Sequence, residues 1–165
     1  MSKIDELKAR AEKGDAGSQS DLGIAYAIGD GAEPDLQQAV YWFRTAADQG
    51  NAGAQYNLGG CFATGEGVEQ NLTEAARYYE LAAEQGLPDS AYCLATCHAR
   101  GLGAPQDWTL AAKWMKFAKD KGHPGELEDP FEEYQIGNCF ALGGSPSTPF
   151  PDHSYRHVAG AYTTR

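Results

Sequence analysis

A single spacing limits what this chain can fold into more than any individual side chain does: one residue pattern returns every thirty-six positions. Leu22-Gly23 recurs as Leu58-Gly59 and again as Leu94-Ala95. Gly29-Asp30-Gly31 recurs as Gly65-Glu66-Gly67 and Gly101-Leu102-Gly103. Asp35, Asn71 and Asp107 share a register, as do Trp42, Tyr78 and Trp114, and Gly14, Gly50, Gly86 and Gly122 keep the same step. A period of this length belongs to a stacked array, in which each unit hides its apolar face against its neighbours. Arrays of this kind present a surface more often than they carry out a reaction.

Each unit divides into two helices. In the second unit, Ala54, Leu58, Cys61 and Phe62 fall on one stripe at helical spacing over residues 52–64. Gly59 lets another helix approach closely, and the Gly65-Glu66-Gly67 segment ends the helix, because glycine accepts left-handed backbone angles. Asn71 is expected to N-cap the second helix, with Glu74 completing a capping box. Asp35 with Gln38 repeats the arrangement, whereas Asp107 keeps the cap and Leu110 loses the box. Leu72, Ala75, Tyr78, Tyr79, Ala82 and Ala83 form the apolar face of that second helix, which stops at Gly86. The small alanines suit close antiparallel packing of the pair.

The ends depart from the pattern. Ile4, Leu7 and Ala11 match Val40, Phe43 and Ala47, so residues 3–13 read as a lone second helix. Complete repeats span about 16–50, 52–86 and 88–122. Residues 134–143 copy 56–65 after a six-residue insertion, giving a partial repeat over 131–143. The segment 144–165 carries Pro146, Pro149 and Pro151, which exclude a helix interior there. That tail is either disordered or held in place by something specific.

These motifs, Leu-Gly-x-x-aromatic, Gly-x-Gly, an Asx cap, then Ala-x-x-Trp/Tyr-aromatic-x-x-Ala closing at glycine, resemble the Sel1-like repeat family, relatives of tetratricopeptide proteins. The step of thirty-six and the Gly-x-Gly loop fit this family better than the thirty-four of tetratricopeptides proper. The resemblance covers roughly residues 1–143. It implies an all-α fold, a right-handed α/α superhelical solenoid of antiparallel helix pairs, with first helices lining the concave face and a non-enzymatic scaffold or adaptor role. Disulfide-rich secreted members bridge the two helices of a repeat, but no second helix here carries a cysteine.

The formal charge of −10 disfavours nucleic acid and anionic membranes as partners, and makes a basic peptide or protein the better electrostatic match. No apolar run approaches membrane-span length, and Met1 leads directly into charged helical sequence without a signal core. The cytoplasm, with all four cysteines as free thiols, is the expected setting. Cys93 and Cys97 lie one turn apart on one helix, which opposes a bridge between them.

The candidate binding residues lie on the expected concave face. Ser20, Tyr56, Tyr92 and Tyr134 stand two positions before the repeat leucine or its equivalent, and Asp21, Asn57 and Gln135 one before it. Ile24, Thr96 and Asn138 stand two after it, and Thr64 and Arg100 six after it. Tyrosine offers broad contact at low entropy cost, and amides can hydrogen-bond an extended peptide. The alternative is that the tyrosines pack between neighbouring first helices.

Other motifs carry less. Cys93-Leu94-Ala95-Thr96-Cys97-His98 is one residue too long for haem attachment, and Cys61, Cys97 and Cys139 share one small, buried repeat position. His98 occupies the slot of Phe62 and Phe140, an expected core position. Gly-x-Gly here follows a helix and lacks a third glycine, so it is not a nucleotide loop. His153 and His157 fall in the polar tail. The acidic insertion Glu126, Glu128, Asp129, Glu132 and Glu133 follows Lys113, Lys116, Lys119 and Lys121; it either neutralises these lysines or, as an exposed acidic loop, recruits a basic partner itself. No metal site or cofactor is expected.

The preferred function is an interaction module holding a peptide or protein loop in its groove. Two alternatives stand: a self-assembling unit whose tail docks in its own or a neighbour's groove, and an enzyme whose site is built from unlinked residues such as Asp21, His98 and Arg100. The sequence leaves the oligomeric state open.

Overall fold

The structure is a computed structural model and describes residues 3–123. Among these residues seven α-helices follow one another, with no strand: α1 (Lys3–Glu12), α2 (Ala16–Ile28), α3 (Leu36–Asp48), α4 (Ala52–Thr64), α5 (Leu72–Glu84), α6 (Pro88–Arg100) and α7 (Trp108–Asp120). The pairs α2/α3, α4/α5 and α6/α7 make the closest associations, and α1/α2, α3/α4 and α5/α6 join successive units. Each helix thus packs mainly on its chain neighbours, the quasi-one-dimensional pattern of an α/α solenoid. The partial repeat 131–143 and the tail 144–165 lie outside the described residues.

The capping residues of the second helices are those expected from the sequence. Asp35, Asn71 and Asp107 have extended backbones, and their side-chain oxygens accept from the N–H groups of Gln38, Glu74 and Leu110 at 3.0, 3.1 and 3.0 Å. The reciprocal half of the capping box needs correction. The Asn71 N–H donates to the Phe62 carbonyl at 2.9 Å, and the Glu74 carboxylate binds Arg77 instead. The same backbone bond joins Asp35 to Tyr26 and Asp107 to His98. Loop closure has therefore taken the donor that a capping box would use. Among first helices, Asp15 caps α2 and Asn51 caps α4, while α6 has Leu87 at its N-cap, which offers no side-chain hydrogen bond, and Pro88 in its first turn.

The two glycines of each loop have different tasks. Gly65 ends α4 in a left-handed conformation, as expected. Gly67 and Gly103 make the joint between units. A Cβ on Gly67 would lie 2.2 Å from the Leu36 carbonyl oxygen, and one on Gly103 would lie 1.9 Å from that of Leu72.

Within a unit, Leu22, Leu58 and Leu94 are buried at the centre of the helix pair. The adjoining glycine makes room for a ring: a Cβ on Gly59 would stand 2.9 Å from the Tyr79 ring, and one on Gly23 would stand 2.6 Å from that of Phe43. In the third unit Ala95 replaces the glycine and Met115 replaces the ring, and both are buried. A flexible thioether adapts to a Cβ that a rigid ring could not accept.

A glutamine relay crosses the first two joints. Buried Gln19 donates to the Ala11 carbonyl at 3.0 Å and accepts from Gln49 at 2.6 Å. Gln55 donates to the Ala47 carbonyl at 3.4 Å and accepts from Gln85 at 2.7 Å. The equivalent positions in the third unit hold Ala91 and Lys121, so that pair cannot rebuild the relay.

Candidate interaction surface

The twelve candidate residues divide by depth. Ser20, Ile24, Asn57, Tyr92 and Thr96 are buried. For these five the expectation of an open surface is corrected, because their side chains sit among packed helices. Tyr92 is 7% exposed, and its ring stacks on His123 with centroids 4.4 Å apart and planes 11° from parallel. Thr96 turns its hydroxyl back onto the Tyr92 carbonyl at 3.1 Å. Tyr56 is half-buried, 5.9 Å from the Tyr79 ring, and thus has both a packing contact and an accessible edge. Asp21 and Thr64 are also half-buried, with Thr64 donating to the Gly60 carbonyl at 3.0 Å, and Arg100 is exposed. Tyr134, Gln135 and Asn138 lie outside the described residues.

Repeat-equivalent positions behave in two ways. Leu22, Leu58 and Leu94 keep one residue type under full burial, while the position six residues further on changes chemistry and stays accessible. There Ile28 is 43% exposed, Thr64 half-buried and Arg100 exposed.

Beside this surface runs a set of aromatic and cationic contacts that the sequence reading missed. Lys8 Nζ lies 5.6 Å from the Tyr26 ring centre, and one unit later Arg44 Cζ lies 5.7 Å from that of Phe62. Phe62 stacks on Tyr78 at 5.8 Å, and Arg77 covers the other ring at 4.2 Å while binding Glu74 at 2.8 Å. The Arg77 hydrogen bond holds the Glu74 carboxyl below its usual range. The signal was available, since Lys8 and Arg44, like Tyr26 and Phe62, are thirty-six apart. Glu80 at the next step breaks the series, which is why it did not stand out.

Between α1 and α2 lies a cleft of about 360 Å³. Its apolar lining comes from Ile4, Leu7, Ile24, Ala25 and Ile28, and its acidic groups are Glu6, Asp21 and Asp30. Arg10 is the basic residue of the lining, and its guanidinium binds Asp15 at 3.2 Å.

The cysteine–histidine stretch of α6 is packing. Cys93 and Cys97 are buried and in no disulfide, as is Cys61 on α4, and burial pushes the Cys97 thiol well up. His98 is only half-buried, less enclosed than its Phe62 counterpart, with Nδ1 3.3 Å from the Pro105 carbonyl oxygen. Among the described residues no three His, Cys, Asp or Glu side chains gather as a metal site. No described helix is long and apolar enough to cross a membrane.

Comparison with known proteins places these features in a family. Residues 16–51, 52–87 and 88–123 each match the Sel1 repeat. The chain is similar to a Sel1 repeat protein from Oxalobacter formigenes, 36% identical with a TM-score of 0.67, over 72% of this chain and 90% of that one. It is also similar to c5321, a protective antigen of uropathogenic Escherichia coli with an SLR fold, 38% identical with a TM-score of 0.71, over 74% of this chain but 26% of the antigen. Helicobacter pylori cysteine rich protein B shares the fold at 18% identity and a TM-score of 0.58, over 73% of this chain and 92% of that protein. No curated protein matches the sequence. With three matched repeats covering most of its length, this chain belongs to the Sel1 repeat family.

Proposed function

We propose that the chain is a non-enzymatic, cytoplasmic interaction module that holds a peptide or loop of a partner protein along the first helices of its repeats. The carrying observation is the contrast between a uniform packing layer and a variable accessible position. Leu22, Leu58 and Leu94 repeat without change, whereas Ile28, Thr64 and Arg100 differ in every unit and remain accessible. A fixed spacing of differing side chains can read successive segments of an extended ligand, the logic of repeat-protein recognition. Tyr56, Asp21, Thr64 and Arg100 are the candidate residues available for such contact, with Tyr56 as the aromatic anchor. The net charge of −10 favours a basic ligand.

The test is quantitative affinity capture with the full chain and two variants, Thr64→Lys and Arg100→Glu. Both alter accessible side chains, so melting temperatures should stay near the parent's. Loss of one and the same polypeptide from both variants supports the reading, and full retention of every captured protein by both contradicts it.

A further inference from the structure

Resting on the groove reading above, we infer that a notch at Gly60 on α4 is where the ligand's main chain meets the solenoid, a peptide carbonyl there accepting from the Asn57 side-chain amide. On a helix of about 3.6 residues per turn, Gly53, Tyr56, Asn57, Gly60 and Thr64 fall within an arc of about 100°. Gly53, Tyr56, Gly60 and Thr64 are half-buried, so this arc is the accessible side of α4.

Two adjoining glycines in the middle of α4 have different causes. Gly59 is required by packing, because its Cβ would stand 2.9 Å from the Tyr79 ring. Gly60 is not. Among the described residues, the nearest atom to a Cβ placed there is the Tyr79 hydroxyl oxygen at 3.9 Å, an ordinary contact. Glycine weakens a helix interior, and no close neighbour accounts for it here. The missing side chain leaves room for another backbone to approach. The flanking units fill the same position with Ile24 and Thr96, both buried, so the notch belongs to the central repeat.

A second observation points to what enters. Asn57, three residues before Gly60 and thus its neighbour on the helix surface, is only 5% exposed. Its Nδ2 donates to no acceptor among the described residues. Because this amide is already desolvated, a carbonyl that reaches it gains the bond without stripping water from the donor. The Asn χ2 torsion is soft, so the amide can turn towards the Gly60 space at little cost. The arc carries no cation and the chain's net charge is −10, so the matching acceptor is an uncharged carbonyl rather than a carboxylate. An extended peptide presents such carbonyls along its main chain, and Tyr56 flanks it one turn before Gly60.

The test is an NMR titration of the isotope-labelled full chain with acetylated, amidated Ala-Ala-Ala, a main chain bearing only methyl groups, alongside sodium acetate. Saturable shifts of the Asn57 side-chain amide and the Gly60 N–H are expected with the peptide and none with acetate. Binding should weaken at least about tenfold in Gly60→Thr, which fills the notch as Thr96 does, and in Asn57→Leu, which removes the donor. Melting temperatures should equal or exceed the parent's, since Gly60→Thr replaces a weak helix former and Asn57→Leu removes an unmade buried bond. A purely structural role would instead lower them and leave binding intact. No saturable shift, equal response to acetate, unchanged binding by both variants, or a destabilised Gly60→Thr overturns the inference. Concentration-dependent shifts of the same groups without peptide would assign the notch to a second copy, and a nuclear Overhauser contact from the Asn57 amide to residues 144–165 would assign it to the chain's own tail; either overturns it. If capture of a partner is lost in Thr64→Lys and Arg100→Glu but survives Gly60→Thr, the notch inference alone has failed; if it survives all three, the groove reading has failed too.

Discussion

Replacing Gly103 by alanine should open the joint between the second and third repeats. Gly103 sits at φ +72, where an L side chain costs about 1–2 kcal/mol. Its added Cβ would lie 1.9 Å from the Leu72 oxygen and 2.2 Å from the Leu72 carbonyl carbon, both backbone atoms that no rotamer change can move. The loop and the start of α5 must separate by about 1 Å, an overpacking cost of about 1–3 kcal/mol. The expected total is about 2–5 kcal/mol. Gly101→Ala is the matched control. It has a similar φ of +67, but its Cβ would meet the Gln106 Cβ at an ordinary 3.5 Å, so only the conformational cost of about 1–2 kcal/mol applies. Urea unfolding followed by far-UV circular dichroism measures both, with constant slopes confirming comparable end states. Gly103→Ala should exceed Gly101→Ala by about 1–3 kcal/mol. Equal losses would refute the assignment of the second loop glycine to the joint.

Other changes have defined outcomes. Asn71→Ala should cost about 1 kcal/mol in the same assay, because Glu74 N–H loses its 3.1 Å acceptor, and an unchanged midpoint would remove Asn71 as the cap. Gly59→Ala should destabilise by about 1–3 kcal/mol against the Tyr79 ring, and Tyr79→Met in the same chain should recover part of the loss by recreating the Ala95/Met115 pairing; additive losses would disprove the compensation. Burial lowers the pKa of His123 more than nearby Asp89 raises it, so the folded state prefers neutral imidazole. That contribution is complete above the unfolded value of about 6.5 and is lost as pH falls through the depressed folded value. His123→Phe should flatten the stability profile below that pH while keeping the stack on Tyr92, and an unchanged profile would contradict the sign.

The sequence carried the architecture because the features that repeat are those that stack units: Leu58 in the core, Gly59 under a ring and Asn71 at a helix start. α1 lies where the period places a second-helix pattern. It could not separate a groove residue from a packing residue, since both recur at the same spacing. Tyr56 and Tyr92 are equivalent in sequence, yet only Tyr92 is covered by a histidine, and His123 precedes the insertion that breaks the register. The capping box failed for a related reason. Its donor was claimed by a loop-to-helix bond that no local motif announces. The acidic cleft was invisible because its lining comes from two helices and a loop whose residues were read in separate units.

The central claim is that first helices, and not second helices, carry the binding surface. Photo-crosslinking tests it most directly, with benzoylphenylalanine placed in turn at Thr64, Arg100, Tyr41 and Glu80. The first two are on α4 and α6; the last two are exposed positions on α3 and α5. The account predicts covalent capture of one common polypeptide from positions 64 and 100 and none from 41 and 80. Capture from the second-helix positions alone, or from no position, would contradict it.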